Sequence, residues 1–485
     1  MTITPTAEQL RIIEAATADD TNLIIEARAG AAKTTTLIML AEALSGKNIL
    51  SLAFNAKIRD EMRERMPANV RAMTLNGIGY AAWREFCGER CRVNERKNYS
   101  LLRAEIESLS RAEQEEAWEY FSETLKAIAQ AKLVGYPGPR IGQGVKPLTD
   151  AATFYDENLL FEATPLQRQL IDTVCMKSWQ ATLRGELDFD DMLLGPAICG
   201  VSFDHYDVVL VDEAQDLSPI NHVLLRKICR FRTRLIAVGD PCQAIYGFRG
   251  ADETSMKTLK KIFDCTTYRL TTSFRCSQAV IENARWRAPD MRWPDWAKPG
   301  LILRPTSWTA ADIPDGSAIL CRNNAPLFNI GLRLLAAGRY PEFAGRNILK
   351  NLAGKMKKIG KPQLPQEKAL SAVEMWKEAE LKRIRDAALV LDIAECMRLF
   401  IRETETLGDA IALVLALEGR SGAIQLMTGH RAKGLEFETV FFLDHKLCRS
   451  DGQDPNIRYV IETRAKDKLI YINSDDYVME QTDAA

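Results

Sequence analysis

Residues 27–34 read ARAGAAKT, a lysine and a threonine closing a run of small residues, with the apolar NLIIEA before them and TTTLIMLAEAL after. Small residues let the chain turn tightly and aim several backbone N–H groups at one point. A lysine there neutralises phosphate oxygens, and the adjacent hydroxyl reaches a magnesium ion. The chemistry of this set is phosphate binding at the start of a helix, by Ala29, Gly30, Ala31, Ala32, Lys33, Thr34 and Thr35. Two positions depart from the GxxxxGK[ST] pattern, since Ala27 and Ala32 stand where it has glycine. A left-handed backbone at Ala32 would cost roughly 1–2 kcal/mol, whereas a helical φ carries no such strain, so a negative φ is expected there. Taken alone, the loop leaves a working cradle and a chance run of small residues equally open.

A second set of chemical groups weighs on that choice. VVLVDEAQD, 208–216, is an apolar strand ending in adjacent carboxylates. Asp212 at the strand end can hold magnesium through water, and Glu213 can polarise an attacking water, the division of labour that phosphoryl transfer needs. An acidic loop after any buried strand is the plain alternative, and it loses weight because an AKT loop precedes it in the same half of the chain.

Such groups must be positioned by a sheet. Apolar runs followed by helical patterns recur at TNLIIEA, NILSLAF, YDVVLVDE and RLIAVGD, and a second series, SAILCRN, AIQLMT, TVFFLD and KLIYINS, lies in the C-terminal half. Both predict parallel sheets flanked by helices, hence an α/β fold with two such domains. Between them lie helical stretches. In 101–134, Trp118, Phe121, Leu125 and Ile128 recur at helical spacing and predict one packed face. A second helical block covers 366–418, after LKNLAGKMKKIGKPQLP, whose Gly and Pro read as a loop or domain border and whose lysines read as solvated surface.

Bulk composition sets bounds. With 485 residues, 46% of them hydrophobic, the chain should form two to four domains. Lys plus Arg (64) nearly cancels Asp plus Glu (65), so total charge is silent about a polyanionic partner. Eleven scattered cysteines fit reduced thiols, and CGERC (Cys87, Cys91) lacks the further ligands of a zinc site. No run reaches the ~18–20 apolar residues of a membrane span, so no membrane association and a cytoplasmic location are expected.

Beyond these local readings, VDEAQD followed by VGDPCQAIYGFRGA (238–251) resembles motifs II and III of the UvrD/Rep-type superfamily 1 DNA helicases. LTTSFRCS (270–277) is similar to their motif IV, QLMTGHRAKGLEFETVFF (425–442) to motif V, and NIRYVIETRAKDKL (456–469) to motif VI. Upstream, TAEQLRII resembles the Q motif, LAFNAKIRDEM motif Ia, TLNGIGYAAW motif Ib, and LDFDDML the segment that precedes motif II. The matches run in family order from residue 6 to residue 469.

The resemblance implies two RecA-like P-loop domains with ATP and Mg2+ held between them, and single-stranded DNA as the track. By motif position, Gln9 reads the adenine edge and Phe274 stacks on its face, while Gln243 senses the γ-phosphate. Arg275 and Arg464 reach that phosphate, and Glu436 lies near the ribose. Cations that meet the transferring phosphoryl group only on closure would couple domain motion to chemistry. Phe54 and Asn55, Tyr246, Phe248 and Arg249, and His430 match positions lining the DNA strand, where aromatic faces stack on bases. Phe54 could instead be core filler. Phe248 stands where many members carry Trp, and Asn76 replaces a histidine frequent in motif Ib, so no role passes to it.

The implied domains are 1–90 with 181–275 (first ATPase domain), 91–180 (helical insertion), 276–350 with 420–485 (second RecA-like domain) and 351–419 (a reduced second insertion). Only about 70 residues separate FAGRNILKNL from GAIQL, so the accessory domain is reduced, and the small size and alanine-bearing loop look similar to phage or mobile-element members. The expected activity is ATP-dependent 3′–5′ translocation on single-stranded DNA, with unwinding at single-strand/duplex junctions in replication, recombination or repair. The setting would be the nucleoid of a bacterial or phage-infected cell. The alternatives are a binding protein without turnover and an ATPase subunit of a nuclease or recombination complex.

Overall fold

The computed structural model describes residues 4–88, 91–139, 145–159, 161–230, 232–247, 254–344, 347–419 and 421–478. The chain divides into two units, Met1–Ala27 with Ala32–Leu270, and Arg28–Ala31 with Thr271–Ala485. Each is built on a six-stranded parallel sheet flanked by helices, the α/β architecture expected.

In the first unit the strands are β1 (Leu23–Ala27), β2 (Ile49–Ala53), β3 (Val70–Thr74), β4 (Val208–Val211), β5 (Arg234–Gly239) and β6 (Thr266–Leu270), ordered β3-β2-β4-β5-β1-β6. The four inner strands are the four apolar runs of the sequence, as burial on both faces demands. β1 runs between β5 and β6, with Ile25 opposite Val238 on one side and Tyr268 on the other. Because β4, β5 and β1 are neighbours, residues just past their carboxyl ends share one rim of the sheet, where open parallel sheets bind ligands. One face packs Ile24, Leu52, Val209 and Leu235 against Leu225, Met256 and Leu259. Full burial of each such side chain contributes about 1.5–3 kcal/mol before entropy is counted.

The second sheet contains β7 (Leu301–Leu303), β8 (Ala318–Cys321), β9 (Pro341–Phe343), β10 (Ile424–Thr428), β11 (Phe437–Leu443) and β12 (Ala465–Ile472), in the order β9-β10-β8-β11-β12-β7. Its inner four are again the apolar runs. A separate helical cluster joins Leu352, Met356, Val373, Met397, Phe400 and Val414.

Two expectations fail. LKNLAGKMKKIGKPQLP is not a loop throughout, since Ile348–Ile359 is a helix that ends at Gly360. Leu349, Leu352, Ala353 and Met356 form one buried stripe, and that packing outweighs the roughly 1 kcal/mol penalty of a mid-helix glycine at Gly354. In 101–134 the single packed face is broken. The helix Arg111–Glu119 ends and Phe121–Leu133 begins at Tyr120, whose φ of −99° and ψ of 10° leave the α region. Trp118 is left 40% exposed, stacked on Phe121, and burial passes to Thr124, Ala127, Ile128, Ala131 and Lys132.

Lys132 is buried because it is paired. Its ammonium lies 2.5 Å from Asp188 and 2.8 Å from Asp191. Lys97, on the helix Lys97–Glu107, also bonds Asp191 and reaches the Thr182 hydroxyl at 2.9 Å. Burial alone would raise the Asp191 carboxyl, but Lys132 and Lys97 pull it down to about 2. Four charges thus fasten two helices to the LDFDD segment.

Candidate functional site

The expected negative φ at Ala32 is corrected by the structure, for φ is 56° and ψ 42°, a left-handed conformation immediately before the helix Lys33–Ala43. The Ala32 carbonyl accepts two hydrogen bonds, from the Thr36 N–H and from the Thr36 hydroxyl, each at 3.0 Å. These bonds offset a conformational cost of about 1–2 kcal/mol, and left-handed turns of this kind gather backbone N–H groups into an anion-binding concavity. Gly30 is left-handed too, with φ 74°, and a Cβ there would come within 2.6 Å of Arg275 Cβ, so glycine is required on both counts. Ala29, Gly30 and Ala31 belong to the second unit, where the Ala29 N–H donates to the Tyr459 hydroxyl at 3.2 Å and the Gly30 carbonyl accepts from the Phe274 N–H at 2.9 Å.

On the first unit's rim, Lys33 Nζ stands 3.1 Å from Glu213, and the Thr34 hydroxyl donates to Asp212 at 3.5 Å. Burial works against the Lys33 ammonium, but Glu213, Asp240 and Asp212 hold its pKa above the ordinary lysine value. Burial, reinforced by Glu213, pushes the Asp212 carboxyl up to about 7 despite Lys33. Glu213 is itself left-handed, with φ 51°, so a strained residue supplies the carboxylate of the ion pair and a second, Ala32, directly precedes its lysine. Gln243 donates to Asp240 at 2.7 Å. Sequence reasoning missed Asp240 and Gln215. Gln215 donates to Glu213 at 2.5 Å and accepts the Asp240 N–H at 3.0 Å, so one buried amide joins the ends of β4 and β5. Their position just past apolar strands was the available signal.

Gln9 is buried, accepting the Thr6 N–H at 2.9 Å in a capping box and donating to the Thr36 hydroxyl at 3.0 Å. Thr35 lies in the first turn of the phosphate-loop helix. Phe54 and Tyr246 come together as a parallel pair, ring centroids 6.0 Å apart and planes 6° from parallel. Phe54 is 42% exposed, which removes the core-filler reading. Asn55 accepts the Ile58 N–H at 3.0 Å and caps the helix Ala56–Arg65, and Asn76 donates to the Phe189 carbonyl. Phe248 and Arg249 lie outside the described residues.

In the second unit Arg275 pairs with Glu436 at 2.7 Å, and Lys466 approaches the same carboxylate at 3.5 Å. Burial would raise the Glu436 carboxyl, but Arg275 and Lys466 hold it below its ordinary value. Arg464 is fully buried, donating to the Val460 carbonyl at 2.9 Å and the Leu435 carbonyl at 3.1 Å. Glu436 and Arg464 directly precede β11 and β12, whose pairing brings them to the same end of the sheet. The buried Cys276 thiol, raised by burial, is drawn back by both Arg275 and Arg464. His430 sits in the short helix Gly429–Ala432 after β10.

Among the described residues no group of three or more His, Cys, Asp or Glu could hold a metal, and no helix is long and apolar enough to cross a membrane. A pocket of about 620 Å³ in the second unit is lined by residues including Arg322, Asp392, Arg398 and Asp454. None of the expected nucleotide ligands lines it, and Arg322 and Arg398 are already paired, with Asp454 and with Glu374 and Glu395.

A phosphate loop at the end of a parallel strand, meeting carboxylates past other strands of the same sheet rim, defines a P-loop nucleotide-binding protein. Residues 6–264 match the UvrD/REP helicase N-terminal domain, and the chain belongs to that family. It is 24% identical to F-box DNA helicase protein 1 of Schizosaccharomyces pombe, over 96% of this chain and 57% of that protein. It is 25% identical to F-box DNA helicase 1 of Gallus gallus, over 98% of this chain and 49% of that protein. A shorter stretch, 21% of this chain and 9% of that protein, is 34% identical to the RecBCD enzyme subunit RecB of Escherichia coli. The chain thus spans about half the length of the first two relatives.

Proposed function

We propose that the chain is an ATP-dependent DNA motor that translocates 3′–5′ on single-stranded DNA and unwinds duplex at junctions. The observation that carries this is the pairing of Lys33 with Glu213 and of Thr34 with Asp212 on one sheet rim. In this reading residues 29–35 cradle the phosphates and Lys33 neutralises the outer ones. Glu213 orients the attacking water, Gln243 reports the γ-phosphate through Asp240, and Arg275 and Arg464 stabilise charge on the transferred phosphoryl group. Gln9 and Phe274 take the adenine, and Glu436 the ribose. The Thr34 hydroxyl and Asp212 carboxylate are hard oxygen donors of the kind Mg2+ accepts beside phosphate oxygens, so the residues present fit that ion. Magnesium, when bound, supplies neutralisation of phosphate charge.

In the same reading Phe54 and Tyr246 form a stacking platform for bases, and Asn55, Phe248, Arg249 and His430 are assigned to DNA by their motif positions. The sequence-based domain limits, 1–90 with 181–275, 91–180, 276–350 with 420–485, and 351–419, belong to the same proposal, as does a place beside intracellular DNA.

ATPase activity with and without single-stranded DNA tests the motor. DNA should stimulate wild-type turnover, and Lys33→Ala should lower it by at least about 100-fold, the scale of losing one electrostatic transition-state contact. Turnover that ignores both DNA and Lys33→Ala removes the reading. Flapped duplexes of both polarities then assign direction. The RecB likeness favours a second reading, an ATPase subunit of a nuclease complex, whose mark would be unwinding only after a partner is added.

A further inference from the structure

Phe274 faces a second aromatic ring that none of the helicase motifs includes. Trp296 is 70% exposed, and its ring stacks on Phe274 with centroids 6.2 Å apart and planes 28° from parallel. A tryptophan this exposed loses the burial its size would ordinarily bring, so its position calls for a partner.

Its backbone is held on both sides. Arg292 exchanges hydrogen bonds with the strand leading to Phe274, its N–H donating to the Thr271 carbonyl at 2.9 Å and its carbonyl accepting the Ser273 N–H at 2.8 Å. The turn carrying Trp296 is closed by the Ala297 N–H on the Pro294 carbonyl at 2.9 Å. The Gln278 side chain then clamps the Ala297 carbonyl at 2.8 Å. The exposed ring is therefore presented by a turn whose backbone is anchored.

We propose that Trp296 is the second wall of the adenine site, bracketing with Phe274 the base of a bound adenine nucleotide. The inference rests on the nucleotide reading of Phe274 and extends it to a residue outside the motifs. Stacked aromatic carbons sit about 3.5 Å apart, so a base between two rings needs about 7 Å. The centroids stand 6.2 Å apart with the planes 28° from parallel, so the exposed indole has to swing away from Phe274 to admit a base. The Phe274 N–H is bonded to the Gly30 carbonyl, which ties this ring pair to the phosphate loop and favours a mononucleotide over a base of a DNA strand.

Titration calorimetry of the full-length chain with ADP, and separately with inorganic tripolyphosphate, tests this. Trp296→Ala should weaken ADP about tenfold, within the range of losing one base–aromatic stack, and Trp296→Phe should restore affinity to within about threefold. Tripolyphosphate has no base, and its binding should not change. Because Trp296 is mostly exposed, the melting temperature should stay at the wild-type value.

If Trp296→Ala binds ADP as tightly as wild type while Phe274→Ala binds it weakly, the adenine site has one wall and the proposal is overturned, with the Phe274 reading intact. Equal loss of tripolyphosphate, or weakened binding of single-stranded oligonucleotide instead of ADP, overturns it as well. Should wild type bind no ADP, both readings fall. Sensitivity of ADP binding to Trp296 without DNA-stimulated turnover removes the motor and leaves the base site standing.

Discussion

Ala32 holds a left-handed backbone one residue before Lys33, and the Cβ that makes this costly is all that separates it from glycine. Ala32→Gly removes the strain and loosens the unfolded chain, two effects that nearly cancel, so the melting temperature should hold or rise slightly. Ala32→Val adds a branched side chain to a positive φ and should cost about 2 kcal/mol or more, read as a lower melting temperature. If valine is tolerated as well as glycine, the left-handed turn is wrong. Asp190 offers a pH test. Burial, reinforced by Asp188, pushes its carboxyl up to about 7 against the opposing Lys132. Its folded pKa lies above the unfolded value of about 3.9, so stability is fully present below that value and falls as pH rises toward 7. Asp190→Asn should therefore stabilise at pH 8 by about 1–2 kcal/mol and make little difference at pH 4, measured by melting at both.

The elements that were legible in the sequence are the ones buried on both faces. All eight inner strands announced themselves as apolar runs, while β3, β6, β7 and β9, the four sheet edges, did not. Edge strands such as Thr266–Leu270 and Leu301–Leu303 are only partly buried and carry no such pattern, because an edge position does not demand burial on both faces. The helix Ile348–Ile359 was obscured by its lysines and Gly354, although its buried positions recur at helical spacing. The buried network of Lys97, Lys132, Asp188 and Asp191 was not legible either, since it joins two helices to a segment more than 50 residues further on. Asp191→Asn leaves two ammonium groups short of one carboxylate and should destabilise the first unit by about 3–5 kcal/mol. Lys97→Met combined with Asp191→Leu should recover part of that loss, because it removes charges in pairs. Equal loss in the double variant would show that the segment needs the charges themselves.

At the scale of the molecule, each unit carries its own hydrophobic clusters among the described residues, one of them around β4 and β5 in the first unit and one around β8 and β11 in the second. Calorimetric unfolding should therefore show a total enthalpy exceeding the van't Hoff enthalpy, the mark of more than one cooperative block. A single two-state transition would contradict independent cores.

By itself the sequence determined the α/β class, the inner strands and the residue types of the phosphate site, because apolar runs and a lysine–threonine pair after small residues depend only on near neighbours along the chain. The match of residues 6–264 to the UvrD/REP family rests on that same local information. Tertiary structure decided the rest. Asp240 and Gln215 became part of the site only because β4 and β5 lie side by side. Trp296 gained an aromatic partner because a backbone pairing brings its turn beside Phe274. Each depends on contacts between residues distant in the chain, which residue types at fixed spacing do not encode.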